Sequence, residues 1–288
     1  MAKDSFFCPK KTLQSRGKII NLLQPLVMGI MNITPDSFYD GGKYQTMSHI
    51  IDHVGRMLEE GASIIDIGAV STRPGASLVP AREELSRLLP VLKTLAREFP
   101  DAIWSVDTYN GETAKAACHE GAHMINDISA GSFDPEMFGT IAGLQVPYVI
   151  MHIKGQPANM QDKPAYEDIL LELISYFSEK IERLRSLGVH DIIIDPGFGF
   201  GKSVEHNYEL LRQLGFLQVF ELPVMVGLSR KSMINRVLNT SPEQALNGTT
   251  VLNTLALTKG VSILRVHDVK QAMEAIKIVM AYNNSVVG

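Results

Sequence analysis

Short apolar runs rich in β-branched residues alternate with longer stretches whose apolar positions recur every three or four residues, through almost the whole chain. The runs at 26–31, 64–68, 103–107, 124–127, 147–151, 192–195, 223–227 and 262–266 predict eight strands. The stretches at 48–60, 81–98, 111–120, 134–142, 166–187, 204–214, 242–259 and 268–282 predict eight helices. Strict alternation of that kind predicts an α/β fold, a closed (β/α)8 TIM barrel. A doubly wound open sheet is the alternative, but it usually has about five to seven strands and a single switch point. Residues 8–23 alternate weakly around Arg16-Gly17 and suit a small hairpin. Segment 1–23 is therefore read as a hairpin closing the barrel floor and 24–288 as the barrel. With no Gly/Ser linker, low-complexity tract or internal repeat, residues 1–288 read as one domain.

Composition narrows the function classes. Apolar residues are 45% and charged residues 20%, which provides a core and argues against disorder. Lys plus Arg number 27 against 31 Asp plus Glu, so no basic excess favours a nucleic-acid partner. Two cysteines, Cys8 and Cys118, cannot form a disulfide framework and point to a reducing compartment, the cytoplasm. The start lacks an apolar signal core, and no run approaches the roughly 18 apolar residues of a membrane span, so no membrane association is expected.

Polar residues stand where the apolar strands stop: Asn32, Asp66, Asp107, Asn126 with Asp127, His152, Asp195, Ser229 through Lys231, and Arg265 with His267. Taken singly, each is as compatible with a helix cap or turn. Taken together, a barrel brings them to one mouth, where burial demands partners or a ligand. Asp66 lies within a strand and reads as a structural hydrogen-bonding carboxylate outside the chemistry. The irregular stretches 32–47, 69–80 and 152–165 follow strand ends and would rise on the same face. Gly197 through Ser203 invites a nucleotide reading that fails on register, since a P-loop needs glycine where Pro196 stands. A tight turn or a close ligand approach remains open there. No metal-caging spacing occurs, although Mg²⁺ arriving with a phosphorylated substrate needs only one or two protein ligands. Covalent nucleophilic catalysis has little support: Cys118 falls within a helix, and Ser229 lacks a G-x-S-x-G frame.

Several segments carry a more specific signal. MGIMNITPDSFYDGG at 28–42, STRPG at 71–75, SVDT at 105–108, IND at 125–127, DPGFGFGK at 195–202, GLSRK at 227–231 and RVHDV at 265–269 resemble, in order, the motifs of the dihydropteroate synthase family. The resemblance spans about residues 17–280 and implies a (β/α)8 barrel. It also implies a transferase of folate synthesis that condenses 6-hydroxymethyl-7,8-dihydropterin diphosphate with 4-aminobenzoate and is inhibited by sulfonamides. The family reaction is thought to be SN1-like, the C–O bond breaking before the arylamine attacks. For the pterin, the resemblance implies Asp107, Asn126, Asp195 and Lys231, with Met151 and Phe200 as apolar walls. For 4-aminobenzoate and diphosphate it implies Phe38, Thr72, Arg73, Pro74, Ser232, Arg265 and His267. Asn32 would hold Mg²⁺, and Asn32, Arg73, Lys231, Arg265 and His267 would serve catalysis; a cytoplasmic homodimer is the family form. Two departures stand out: Val70 where the family has an acidic residue, and Lys154 where it generally has arginine. Alternatives on the same barrel are a folate-binding corrinoid methyltransferase, which lacks the two loop signatures, and a non-catalytic pterin-binding paralogue, whose loop residues would be degraded.

Overall fold

A computed structural model describes residues 9–33, 43–73 and 75–285. Two antiparallel strands come first, β1 (Thr12–Ser15) and β2 (Lys18–Asn21). Arg16 and Gly17 turn between them with φ of 49° and 79°, the left-handed pair that a two-residue hairpin with native twist requires. The barrel strands are β3 (Leu26–Asn32), β4 (Ile64–Gly68), β5 (Ile103–Asp107), β6 (Met124–Asp127), β7 (Tyr148–Met151), β8 (Ile192–Asp195), β9 (Met225–Val226) and β10 (Ile263–Val266). All are parallel, in the order β8-β7-β6-β5-β4-β3-β10-β9. The ring closes between β8 and β9 through one bridge, Ile194 with Val224, and the bond from Ile194 N to Pro223 O at 2.9 Å. The predicted closed barrel is what forms, and seven of the eight predicted strands match within one residue at both ends.

Helices α1 (Lys43–Glu59), α2 (Ala81–Glu98), α3 (Gly111–His119), α4 (Met137–Leu144), α5 (Ile169–Ser186), α6 (Val204–Gln213), α7 (Ser232–Leu238), α8 (Leu246–Thr258) and α9 (Val269–Asn284) surround the strands. Two corrections to the predicted helices concern one stretch. Residues 242–259 are a 3₁₀ turn, Pro242–Gln244, followed by α8, and α7 precedes them where no helix is predicted. With seven residues, α7 completes barely two turns, too few for an apolar period to show.

Strand parity builds both the core and the mouth. Val27, Ile65, Trp104, Ile125, Tyr148, Ile192 and Leu264 join the large cluster under the helices. Met28, Ile64, Met124, Val149, Ile193, Met225 and Ile263 have the other parity and pack inside the barrel against Leu13, Ile20 and Leu22 of the hairpin segment. The hairpin thus stoppers the floor, and Ser15 Oγ donates to the buried His123 carbonyl while Arg16 donates to Cys118 O. Two residues further along, the inward positions become Asp66, Ser105, Asn126, Met151, Asp195 and Arg265. A two-residue period therefore delivers the polar residues to one mouth at the strand C-termini.

Leu13 is 1% exposed. Truncating it to alanine is expected to cost about 2–4 kcal/mol in urea unfolding. A loss below about 1 kcal/mol would mean that the hairpin is not part of the folded core.

Candidate active site

The innermost layer of the mouth is charged. Arg265, inward on β10, donates from Nε to Asp66 Oδ2 at 2.7 Å and from Nη2 to Asp107 Oδ2 at 2.8 Å. Asn126 Nδ2 donates to the same Asp66 oxygen at 2.9 Å. Asp66 is completely buried, and its Oδ1 has no partner among the described residues. Burial raises the Asp107 pKa; Arg265 opposes the shift, and the Asp66 carboxylate adds to it. Asp66 is thus the structural carboxylate that its strand position suggests, but the groups it orders, Arg265 and Asn126, are candidate site residues. A charge inside a five-residue apolar strand needs a partner. Arg265, equally isolated in its own strand, is the matching signal.

Asp195 ends β8, almost wholly buried, and its Oδ1 accepts from Gly197 N at 2.7 Å. Burial raises its pKa, with Lys231 the foremost of the groups opposing the rise. The glycines that follow are sterically required. Gly197, Gly199 and Gly201 have φ of 70°, 82° and 63°, and side chains on the first and last would collide with the carbonyls of His152 and Lys154. Gly199 leaves passage for Lys231, whose Cδ would lie 3.3 Å from an added Cβ. Lys231 Nζ donates to Phe198 O and sits 4.8 Å from the Phe200 ring centre. Burial lowers its pKa to about 8, and Asp195 opposes that shift.

Met151 and Phe200 line this polar ring with apolar surface, in a cluster with Val70, Tyr109 and Ile128. Val70, 8% exposed, therefore fills an apolar patch where an acidic side chain would be buried among hydrocarbon. Lys154 still forms the pair expected of a cation there: its Nζ lies 2.9 Å from Glu172 Oε1 and 4.2 Å from the Tyr166 ring centre.

The outer rim is less buried. Asn32 ends β3 in register with Gly68, which pairs with Asp107, itself paired with Asn126. Its side chain makes no hydrogen bond among the described residues. His267 Nδ1 lies 3.0 Å from Ser229 Oγ. Although the residue reaches solvent, desolvation of its ring and the Arg265 and Arg230 cations lower its pKa. Arg230 clamps Asp268 through two bonds, 3.0 and 2.6 Å, joining the ends of β9 and β10. Thr72 is half-buried, Arg73 and Ser232 are exposed, and Phe38 and Pro74 lie outside the described residues. The 69–80 stretch is tied down by Val79 N to Tyr109 OH at 2.7 Å and Gly75 N to Pro157 O at 2.9 Å.

The structure thus gathers Asp107, Asn126, Met151, Asp195, Phe200, Lys231 and Arg265 in the mouth and leaves Thr72, Arg73, Ser232 and His267 around it. Sequence reasoning passed over Asp66 as a partner of these groups. It also passed over Lys202, considered only as a P-loop lysine and found buried against backbone carbonyls.

Comparison with known proteins places the chain in a family. The family model described as pterin binding enzyme matches residues 28–267. The chain is 43% identical over 272 residues to the dihydropteroate synthase of Escherichia coli (strain K12), covering 93% of this chain and 95% of that one. It is 40% identical to the Haemophilus influenzae enzyme of the same name, over 95% and 99% of the two chains. Among solved structures, a Yersinia pestis dihydropteroate synthase in a sulfonamide drug complex superposes with a TM-score of 0.89 at 44% identity, covering 95% of this chain and 100% of that one. A Xanthomonas albilineans dihydropteroate synthase with 4-aminobenzoic acid gives 0.89 at 40% identity, over 96% and 99%.

The acid limb of free-pterin binding is expected well above the pH near 3.9 at which an ordinary aspartate protonates. Protonation of Asp195 or Asp107 removes the charge and turns one acceptor oxygen into a donor that clashes with the pterin N–H groups, and both have raised pKa values, so affinity falls as pH falls through those values. Calorimetry from pH 4 to pH 8 checks this; affinity constant down to pH 4 would remove both carboxylates from recognition.

Proposed function

The chain belongs to the dihydropteroate synthase family, and on that premise we propose how its barrel mouth divides the work of the reaction. The activity is that of a transferase: 6-hydroxymethyl-7,8-dihydropterin diphosphate and 4-aminobenzoate yield 7,8-dihydropteroate and diphosphate. The observation that carries the assignment of residues is the convergence of Asp195, Asn126, Asp107 and Lys231 between the apolar surfaces of Met151 and Phe200.

A pterin presents a guanidine-like edge of N–H donors, which a carboxylate receives in a bidentate pair. Asp195 keeps capacity for it, because Gly197 N uses one lone pair of one oxygen. Asn126 already donates to Asp66, so its amide oxygen is turned free to accept from the ring. Lys231 donates to the ring carbonyl in exchange for Phe198 O, and Asp107 accepts from the reduced ring's N–H. Met151 and Phe200 sandwich the faces.

In an SN1-like reaction, positive charge develops on the pterin and negative charge on the diphosphate. Groups fixed in advance at each end supply most of the rate. Asp107 lies on the pterin side. His267, Arg73 and the Nη1 of Arg265, which has no partner among the described residues, are the donors for the anion. Arg265 also holds two pterin-side carboxylates, so its loss would disturb both ends rather than the anion alone. Thr72, Arg73 and Ser232, with Phe38 and Pro74, form the proposed 4-aminobenzoate contacts.

Mg²⁺ fits the donor set as a passenger of the diphosphate. Among the described residues no group of three or more His, Cys, Asp or Glu could hold a metal ion. The Asn32 amide oxygen is a hard, neutral ligand of the kind Mg²⁺ takes singly, with phosphate oxygens and water completing the shell. Bound there, Mg²⁺ would neutralise charge on the leaving group.

A homodimer is supported by the outer face of α7 and α8, where Val237, Leu238, Val251 and Leu255 are 59%, 53%, 51% and 46% exposed. Contiguous exposed apolar side chains of that kind mark interaction surfaces. A cytoplasmic setting is supported by Cys118, a buried free thiol whose pKa burial pushes up to about 12, leaving it unreactive. No described helix is long and apolar enough to cross a membrane.

Diphosphate release should require both substrates and should collapse on omission of 4-aminobenzoate. Release at an unchanged rate without the arylamine would mean hydrolysis, not condensation. Replacing Val251 and Leu255 with glutamate should convert a dimer to a monomer in sedimentation velocity; a wild-type monomer at micromolar concentration would reject the α7–α8 interface.

A further inference from the structure

We propose that Lys202 is a positioning residue for pterin recognition, a buried ammonium that clasps the ends of β7 and β8 and so fixes Asp195 and Phe200. The proposal rests on the reading of the mouth as the pterin site. Lys202 is 2% exposed. Its Nζ lies 2.9 Å from Gly197 O, 3.1 Å from Phe200 O, 3.3 Å from His152 O and 3.0 Å from His152 Nδ1. Among the described residues no carboxylate lies within ion-pair distance of it.

A cation buried without a carboxylate is costly, and a methionine would fill similar space without that cost. Packing alone therefore does not call for an ammonium. Three carbonyls aimed at one point do, because each would otherwise be an unmet acceptor in the interior. Three N–H donors match three carbonyls, with the imidazole sharing one. His152 must be neutral to accept at Nδ1, and its surroundings agree: burial, Lys202 and Lys154 lower its pKa to about 2.

The clasp reaches the ligand-binding groups through single peptide units. Gly197 offers its carbonyl to Lys202 and its N–H to Asp195 Oδ1, so holding one end of the residue aims the other at the carboxylate. The Phe200 carbonyl is held while its ring lies under Lys231. His152 follows Met151 directly, so both apolar walls hang from carbonyl-bearing residues tied to one amine or next to them. Asn207, from α6, braces the far side: its Oδ1 accepts from Gly199 N at 2.8 Å and its Nδ2 donates to Ser203 O at 2.6 Å. Asp195, Lys231, Lys154, Glu172, His152, Tyr166 and Tyr176 are the titratable groups around the amine. Only Asp195 and Lys231 among them belong to the site.

The test compares Lys202→Met and Lys202→Gln with wild type and with Asp195→Asn. The structure predicts folded Lys202→Met enzyme with KM for the pterin diphosphate raised about tenfold or more, the size seen when a group orienting a ligand residue is lost. KM for 4-aminobenzoate should stay within about twofold, the scatter of a site whose own contacts are intact. The acid limb of pterin binding should move to higher pH, because removal of the cation makes Asp195 easier to protonate. Lys202→Gln, which restores N–H donors without charge, should recover part of the KM and none of the pH shift. It also serves as the variant of record should Lys202→Met fail to fold. Wild-type pterin affinity and acid limb in the folded variants would overturn the proposal, as would an equal loss for both substrates that tracks a lowered Tm. Should Asp195→Asn itself keep full pterin affinity, the reading of the mouth fails instead.

Discussion

One guanidinium, that of Arg265, stands between two carboxylates inside the barrel, and the geometry of the mouth follows from that arrangement. Asp66 has no access to water, and its carboxylate is met instead by donors from both Arg265 and Asn126. Those donations fix the Asn126 amide and hold the arginine where its second nitrogen meets Asp107. Truncating the arginine would leave two buried carboxylates against each other. That is far costlier than the loss of an exposed ion pair. The charge arrangement therefore acts as scaffold and as part of the site at once, and the two roles are not separable by a single substitution.

The architecture was legible because a two-residue and a 3.6-residue period alternate with little interference. β4, β5, β6 and β8 have the predicted ends, since each is a short apolar run stopped by glycine or by a polar residue. β9 was over-read: residues 223–227 look like a strand, yet only Met225 and Val226 pair as one. Pro223 has no N–H to offer, and its carbonyl is spent on Ile194. The site residues were visible as strand-end polar groups, but their pairing was not. Asp66 and Arg265 are 199 positions apart in sequence, and only the register of the closed ring brings them together.

The DPGFGFGK segment shows a different limit. Its glycines advertise unusual backbone and were readable as such, while the lysine that ends it gave no sign of its destination. A Gly-Lys-Ser string suggests an exposed phosphate ligand, and the same residues here bury the amine among backbone carbonyls. Direction of a side chain after three alternating left-handed glycines depends on contacts with β7, which no local pattern encodes.

The closure between β8 and β9 rests on a single bridge, to which the Ile194 N to Pro223 O bond belongs, whereas β3 and β4 pair over five residues. Asp195 stands on one bank of that seam, and Lys231 follows the strand on the other. A flat ring held as proposed between both banks would lace the barrel where its own stitching is sparsest. On the proposed reading, bound pterin would add to the cohesion of the protein, because a ligand that binds only the closed barrel stabilises that closure.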